Sequence, residues 1–167
     1  MTLSHDIEPL EPEAWFGALE RLAIRQQASG VQAVESMLRH GLHLAQLTPG
    51  PMKGIVRCEI SEADFEGLLR HGAFDAAAIA LVSPPLCFEI KGTFVKERRL
   101  VRARVDLAEQ VDQGGHASCS TVAGALVGAW SLFLVQLRQR SLESPDERVD
   151  RDPRKTPVEP RRKSIEP

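Results

Sequence analysis

Residues 118–137 read Ser-Cys-Ser-Thr-Val-Ala-Gly-Ala-Leu-Val-Gly-Ala-Trp-Ser-Leu-Phe-Leu-Val-Gln-Leu, a stretch without one charge that Arg138 and Arg140 close. A surface helix has an apolar stripe and a polar face. This helix has no polar face before Gln136. It must be hidden on nearly all sides: in its own domain, against a second subunit, or in lipid. At ~1.5 Å per residue the stretch reaches roughly the ~30 Å hydrocarbon core of a bilayer. Its first residues, Ser118 to Thr121, are small or polar, however, and the strongly apolar part runs only from Val122 to Val135. That length suits a buried core helix. A membrane anchor formed by 118–137 is the alternative.

The helix has a bulky stripe of Val122, Leu126, Trp130, Phe133 and Leu137 and a small one of Gly124, Gly128, Ser131 and Val135. Small residues four apart allow close backbone approach. The small stripe is therefore the expected self-association face, with a homodimer as the expected assembly. Packing of that stripe within one chain is the competing expectation.

Working back from the helix, Gly114-Gly115 reads as the release into it. Before that stands a hairpin. Leu86, Phe88, Ile90 and Phe94 share one face, and Val101, Ala103, Val105 and Leu107 share the partner's face. Lys96-Glu97-Arg98-Arg99 is the expected turn, setting Phe94 opposite Val101 and Phe88 opposite Leu107. Ala76 to Val82 is a small-residue apolar run that fits a strand or a helix. Ser83-Pro84-Pro85 stops it and favours the strand, because the residue before a proline prefers extended backbone. Ser61 and Asp64 open a short helix around Phe65, Leu68 and Leu69, which His71-Gly72 closes. Val56, Cys58 and Ile60 alternate with Arg57 and Glu59, the pattern of a half-buried strand.

Near the start, Glu11-Pro12-Glu13 suits a helix N-terminus. Trp15, Phe16, Leu19, Leu22 and Ala23 follow at helical spacing. Val31, Val34, Met37, Leu38 and Leu42 resume it after Ser29-Gly30, as a hairpin or a bent helix, and Thr48-Pro49-Gly50-Pro51 ends it. The expected class is α+β: a small antiparallel sheet with the N-terminal helices and the long apolar helix on one face. One domain spans 1–140. Residues 141–167 hold five prolines and seven residues of each charge sign, a composition expected to stay disordered.

Composition excludes more than it assigns. The formal net charge is −2, so no global attraction to nucleic acid or acidic lipid operates. Tyr is absent and aromatics make up 5%, which disfavours stacking platforms. Cys58, Cys87 and Cys119 are too few for a disulfide framework, and the first residues lack a basic, apolar leader. A cytoplasmic setting is expected.

Candidate chemistry is sparse. His116 and Cys119 are the only pairing that resembles a reactive thiol site, with Cys119 near a helix N-terminus. No third orienting group accompanies them, so the chain is expected not to be an enzyme. His40 and His43 share a helical face without further ligands, and neither a metal nor a cofactor is expected. The hairpin from Lys91 to Arg104 carries a basic face of Lys91, Lys96, Arg98, Arg99, Arg102 and Arg104, which Arg57 would join from its own strand. Such a face suits an acidic protein partner, or else a nucleic-acid backbone. The expected function is non-enzymatic: a protein-binding, adaptor or assembly protein that self-associates. Nucleic-acid binding through the hairpin and membrane association through the last helix are the alternatives.

Overall fold

The computed structural model describes residues 9–25, 31–82, 84–95, 98–108 and 110–143. Helices α1 (Pro12–Arg25), α2 (Val31–Gln46), α3 (Glu62–Arg70) and α4 (Phe74–Leu81) come first, with a single 3-10 turn at Gly50–Met52. Strands β1 (Leu86–Val95), β2 (Arg98–Leu107) and β3 (Gln110–Cys119) follow, and α5 (Val122–Glu143) ends the described chain. The class is α+β, as the sequence implies.

The apolar helix is the centre of the molecule. It packs on β3 and β2 from one side and on α1, α4 and α2 from the others. Two glycines mark the opposite faces. A Cβ on Gly115 of β3 would fall 2.2 Å from the Ala129 carbonyl oxygen and 2.3 Å from the Phe133 nitrogen, so β3 lies directly on the helix backbone. Val127, about 200° around the helix from Ala129, instead reaches Gly41 of α2. Every residue from Ala123 to Ser131 is buried. The missing polar face is thus explained: the chain surrounds this helix with its own sheet and helices.

The two N-terminal helices bury the residues that their periodicity selects, among them Trp15, Leu19, Leu22, Val34, Leu38 and Leu42. Trp15 Nε1 donates to the Leu44 carbonyl at 2.7 Å and pins α1 to the end of α2. The bend expected at Ser29-Gly30 lies outside the described residues. Helix α3 opens as its capping pattern implies: Asp64 N donates to Ser61 Oγ at 3.1 Å. It closes on Gly72 at φ +69°, with Gly72 N donating to Leu69 O and Ala73 N to Leu68 O. That pair of bonds needs a left-handed residue, which favours glycine.

Four readings of the sequence are corrected. Ala76 to Val82 is not a strand; most of it belongs to α4. Proline restricts only the residue before it, so an alanine-rich segment can stay helical to Leu81. Val56 to Ile60 forms no strand and joins no sheet among the described residues. Its alternation reports burial of Val56 in the helical core, not membership of a sheet. Gly114-Gly115 do not release the chain; they lie inside β3, which makes the sheet a three-stranded meander in the order β1-β2-β3. Ser118 and Cys119 therefore end a strand, and the helix starts at Val122.

The hairpin register is the fourth. Phe94 faces Arg99 and Phe88 faces Val105, and pairing continues to Val95 opposite Arg98. Arg98 and Arg99 belong to the strand rather than to the turn; Lys96 and Glu97 lie outside the described residues. The shift is two residues, so every side chain keeps its expected face. At the other end of the chain, α5 continues through 141–143, three residues beyond the expected domain limit. The tail expected to be disordered lies, from 144 to 167, outside the described residues.

Candidate interaction face of the sheet

The meander has a covered face and an open one. Val101, Ala103 and Val105 of β2, with Gly115, Ala117 and Cys119 of β3, turn inward and are buried beneath α5. Their alternates form the open face: Cys87, Glu89 and Lys91 of β1, Arg102, Arg104 and Asp106 of β2, and Gly114, His116 and Ser118 of β3.

Charge on this open face is partly neutralised from within. Arg104 Nε stands 2.7 Å from Asp106 Oδ2, off the N–H direction, and Nη2 donates to Oδ1 at 3.3 Å. Asp106 is only 4% exposed. It sits where Gly114 leaves room: a Cβ there would meet Asp106 Oδ1 at 2.3 Å, next to the irregular β2–β3 pairing. Lys91 Nζ contacts Glu89 Oε1 at 2.9 Å. Glu89, Lys91, Arg102, Arg104 and His116 line a shallow cavity of about 210 Å³. Arg98, Arg99 and Arg102 are exposed at the hairpin end. Lys96 lies outside the described residues. Arg57 is exposed in the unpaired segment before α3 and does not join the sheet.

The covered face is incomplete at β1. Helix α5 meets β3 and β2 extensively and β1 scarcely. Leu86 is buried, but Phe88 is 39% exposed and Phe94 79% exposed, although both point to the core side of the sheet. Among the described residues β1 has a neighbour only in β2, so its other edge is open. An open, apolar strand edge is a surface that natural sheets usually guard.

The small stripe of α5 lies inside this chain. Gly124, Gly128 and Ser131 are buried, and Ser131 Oγ donates to the Val127 carbonyl at 2.8 Å. The space beside Gly124 is taken by Cys119 Sγ and Thr121 Oγ1 of the same chain. Only Val135 borders an opening, an apolar groove between α1 and α5 with Ala23, Ile24 and Leu132.

His116 and Cys119 are not brought together. Three apart on a strand, they point to opposite faces: His116 to the open side, and Cys119 inward against the start of α5. His40 and His43 gain no acidic or thiol companion, and no cluster of three metal-ligating side chains occurs among the described residues. Burial, then the positive charges of Arg25, His43 and Arg21, hold His40 below the usual imidazole range. Burial raises the Cys58 thiol, which makes it a poorer nucleophile.

The β1 edge is the feature that the sequence did not reveal. Its signal was present: Phe94 falls beyond the reach of a helix that starts after Cys119 and lies on β3. Reading it required the strand order. No family model matches the sequence, and no curated protein and no solved structure matches it either.

Proposed function

We propose that this chain acts by binding another protein, as an adaptor or assembly component, through the open edge and uncovered apolar face of β1. The observation that carries this reading is the exposure of Phe94 and Phe88 on the core side of the sheet. An aromatic side chain held in water on a rigid strand forfeits burial worth roughly 1.5–3 kcal/mol. A partner strand laid along β1 recovers part of it and satisfies the strand's free backbone groups as well. Open-face charges beside the edge would orient the partner.

Two other readings have less support. Nucleic-acid binding by the hairpin is weakened by the carboxylates of Glu89 and Asp106, which engage Lys91 and Arg104. Membrane anchoring draws on Val122–Arg140, the one described helix long and apolar enough to cross a bilayer; two thirds of its apolar window is buried inside the chain.

A photo-crosslinking amino acid in place of Phe94, compared with the same group in place of the exposed Glu62 on α3, separates these readings. Protein adducts from position 94 and none from 62 are the expected result. Adducts to nucleic acid or lipid, or none at all, overturn it.

A further inference from the structure

We infer that the partner of β1 is a second copy of this chain, paired antiparallel about a two-fold axis through Ile90, so that two meanders join into one six-stranded sheet. The inference rests on the proposed use of β1 as a binding edge, and names its occupant.

The backbone settles which residues can make the bonds. Ala108 N donates to the Pro85 carbonyl at 3.1 Å, in line with the β1–β2 register. Odd-numbered residues of β1 therefore direct their N–H and C=O groups at β2, and even-numbered residues direct theirs at the open edge. The outward set is Leu86, Phe88, Ile90, Gly92 and Phe94, none of them proline, so each can both donate and accept.

A two-fold pairing must be self-complementary. With Ile90 opposite its own copy, Phe88 falls opposite Gly92 of the second chain and Leu86 opposite Phe94. Each exposed ring then lies over a position with room for it or against an aliphatic side chain. On the open face Glu89 falls opposite Lys91 of the other copy, and Lys91 opposite Glu89. The registers two residues to either side fail: one sets Glu89 against Glu89, the other Lys91 against Lys91. Charge thus selects one alignment among those that keep the apolar face inward. Lys91 already faces Arg102 across β2, and the incoming carboxylate offsets that like-charged pair.

The test uses the full chain and its mass by light scattering at tens of micromolar. The wild type is expected to be a dimer. Glu89→Lys alone, or Lys91→Glu alone, places like charges opposite each other twice and weakens the dimer about tenfold or more. An equimolar mixture of the two variants restores it as a mixed pair, visible by native mass spectrometry, and the double variant restores it alone. Both positions are exposed, and circular dichroism verifies that each variant folds.

Register has its own readout. Thr93 of one copy falls opposite Cys87 of the other, and Cys87 is the exposed cysteine among the three. Oxidised Thr93→Cys should form a covalent dimer that Cys87→Ser abolishes. The two positions lie ~20 Å apart within one strand, too far to bridge inside a chain. A monomeric wild type overturns the inference, as does a dimer indifferent to both charge reversals. Either result leaves protein binding at β1 standing if position 94 still crosslinks to a different protein.

Discussion

Gly115 is the residue whose side chain matters most by its absence. Neighbouring backbone fills the space, and backbone cannot turn aside as a flexible side chain can. Gly115→Ala should cost about 3 kcal/mol or more, the upper end for overpacking, measured as a lowered urea midpoint at unchanged slope. Trp15 and Trp130 are both fully buried, yet differ in one bond. Trp15 donates to Leu44 O, whereas Trp130 Nε1 meets no acceptor among the described residues. Trp15→Phe should therefore destabilise by about 1 kcal/mol more than Trp130→Phe. His40 supplies a pH dependence. Its folded form resists the proton that the unfolded chain accepts near pH ~6.5, so at lower pH the unfolded state binds more protons and stability falls. Above that range both states are neutral and nothing is lost. The melting temperature should drop between about pH 7 and pH 5, and His40→Gln should flatten that drop.

At the scale of elements, the start of α5 is fixed by residues far apart in the chain. Gly124 N donates to Thr121 Oγ1 at 3.1 Å, a local cap. Ala123 N donates to Asp75 Oδ1 at 3.1 Å, a cap supplied by α4. The carboxylate also meets the positive end of the helix. Asp75→Ala should cost about 1–2 kcal/mol, and Asp75→Asn, which keeps an acceptor, distinctly less, by thermal or chemical melting. At the far end Arg138 pairs with Glu13 and stacks 5.1 Å from the Phe16 ring centre, holding α1 against α5. Local chemistry announced α3 at both ends, through Ser61 and Gly72. It did not announce α4, whose N-cap Ala73 makes no side-chain bond. Helix α4 is held by packing against α5, α2 and α3, and packing partners do not appear in a local window of sequence.

For the whole molecule, the organising fact is a helix enclosed by a sheet on one side and helices on the other. Its backbone hydrogen bonds should be the last to open. Amide exchange is expected to be slowest from Ala123 to Val135 and faster in β1, whose free edge and uncovered face leave it exposed to solvent. Equal protection of both would contradict this arrangement.

Sequence alone determined which residues leave water. The helical periods of α1 and α2, the alternation in β2, and the uncharged run before Arg138 each predicted burial that the structure bears out, because side-chain polarity is a property of the residue. In β1 the alternation predicted the face, but Phe88 and Phe94 on it stay exposed. Tertiary structure alone decided what buries them. Whether Val56 alternates in a sheet or against helices depends on distant neighbours. So does whether Gly114-Gly115 is a hinge or a strand pressed on α5, and whether the small residues of α5 meet another molecule or their own chain. The same holds for β1, whose open edge exists because α5 lies over β3 and β2 and stops short of it.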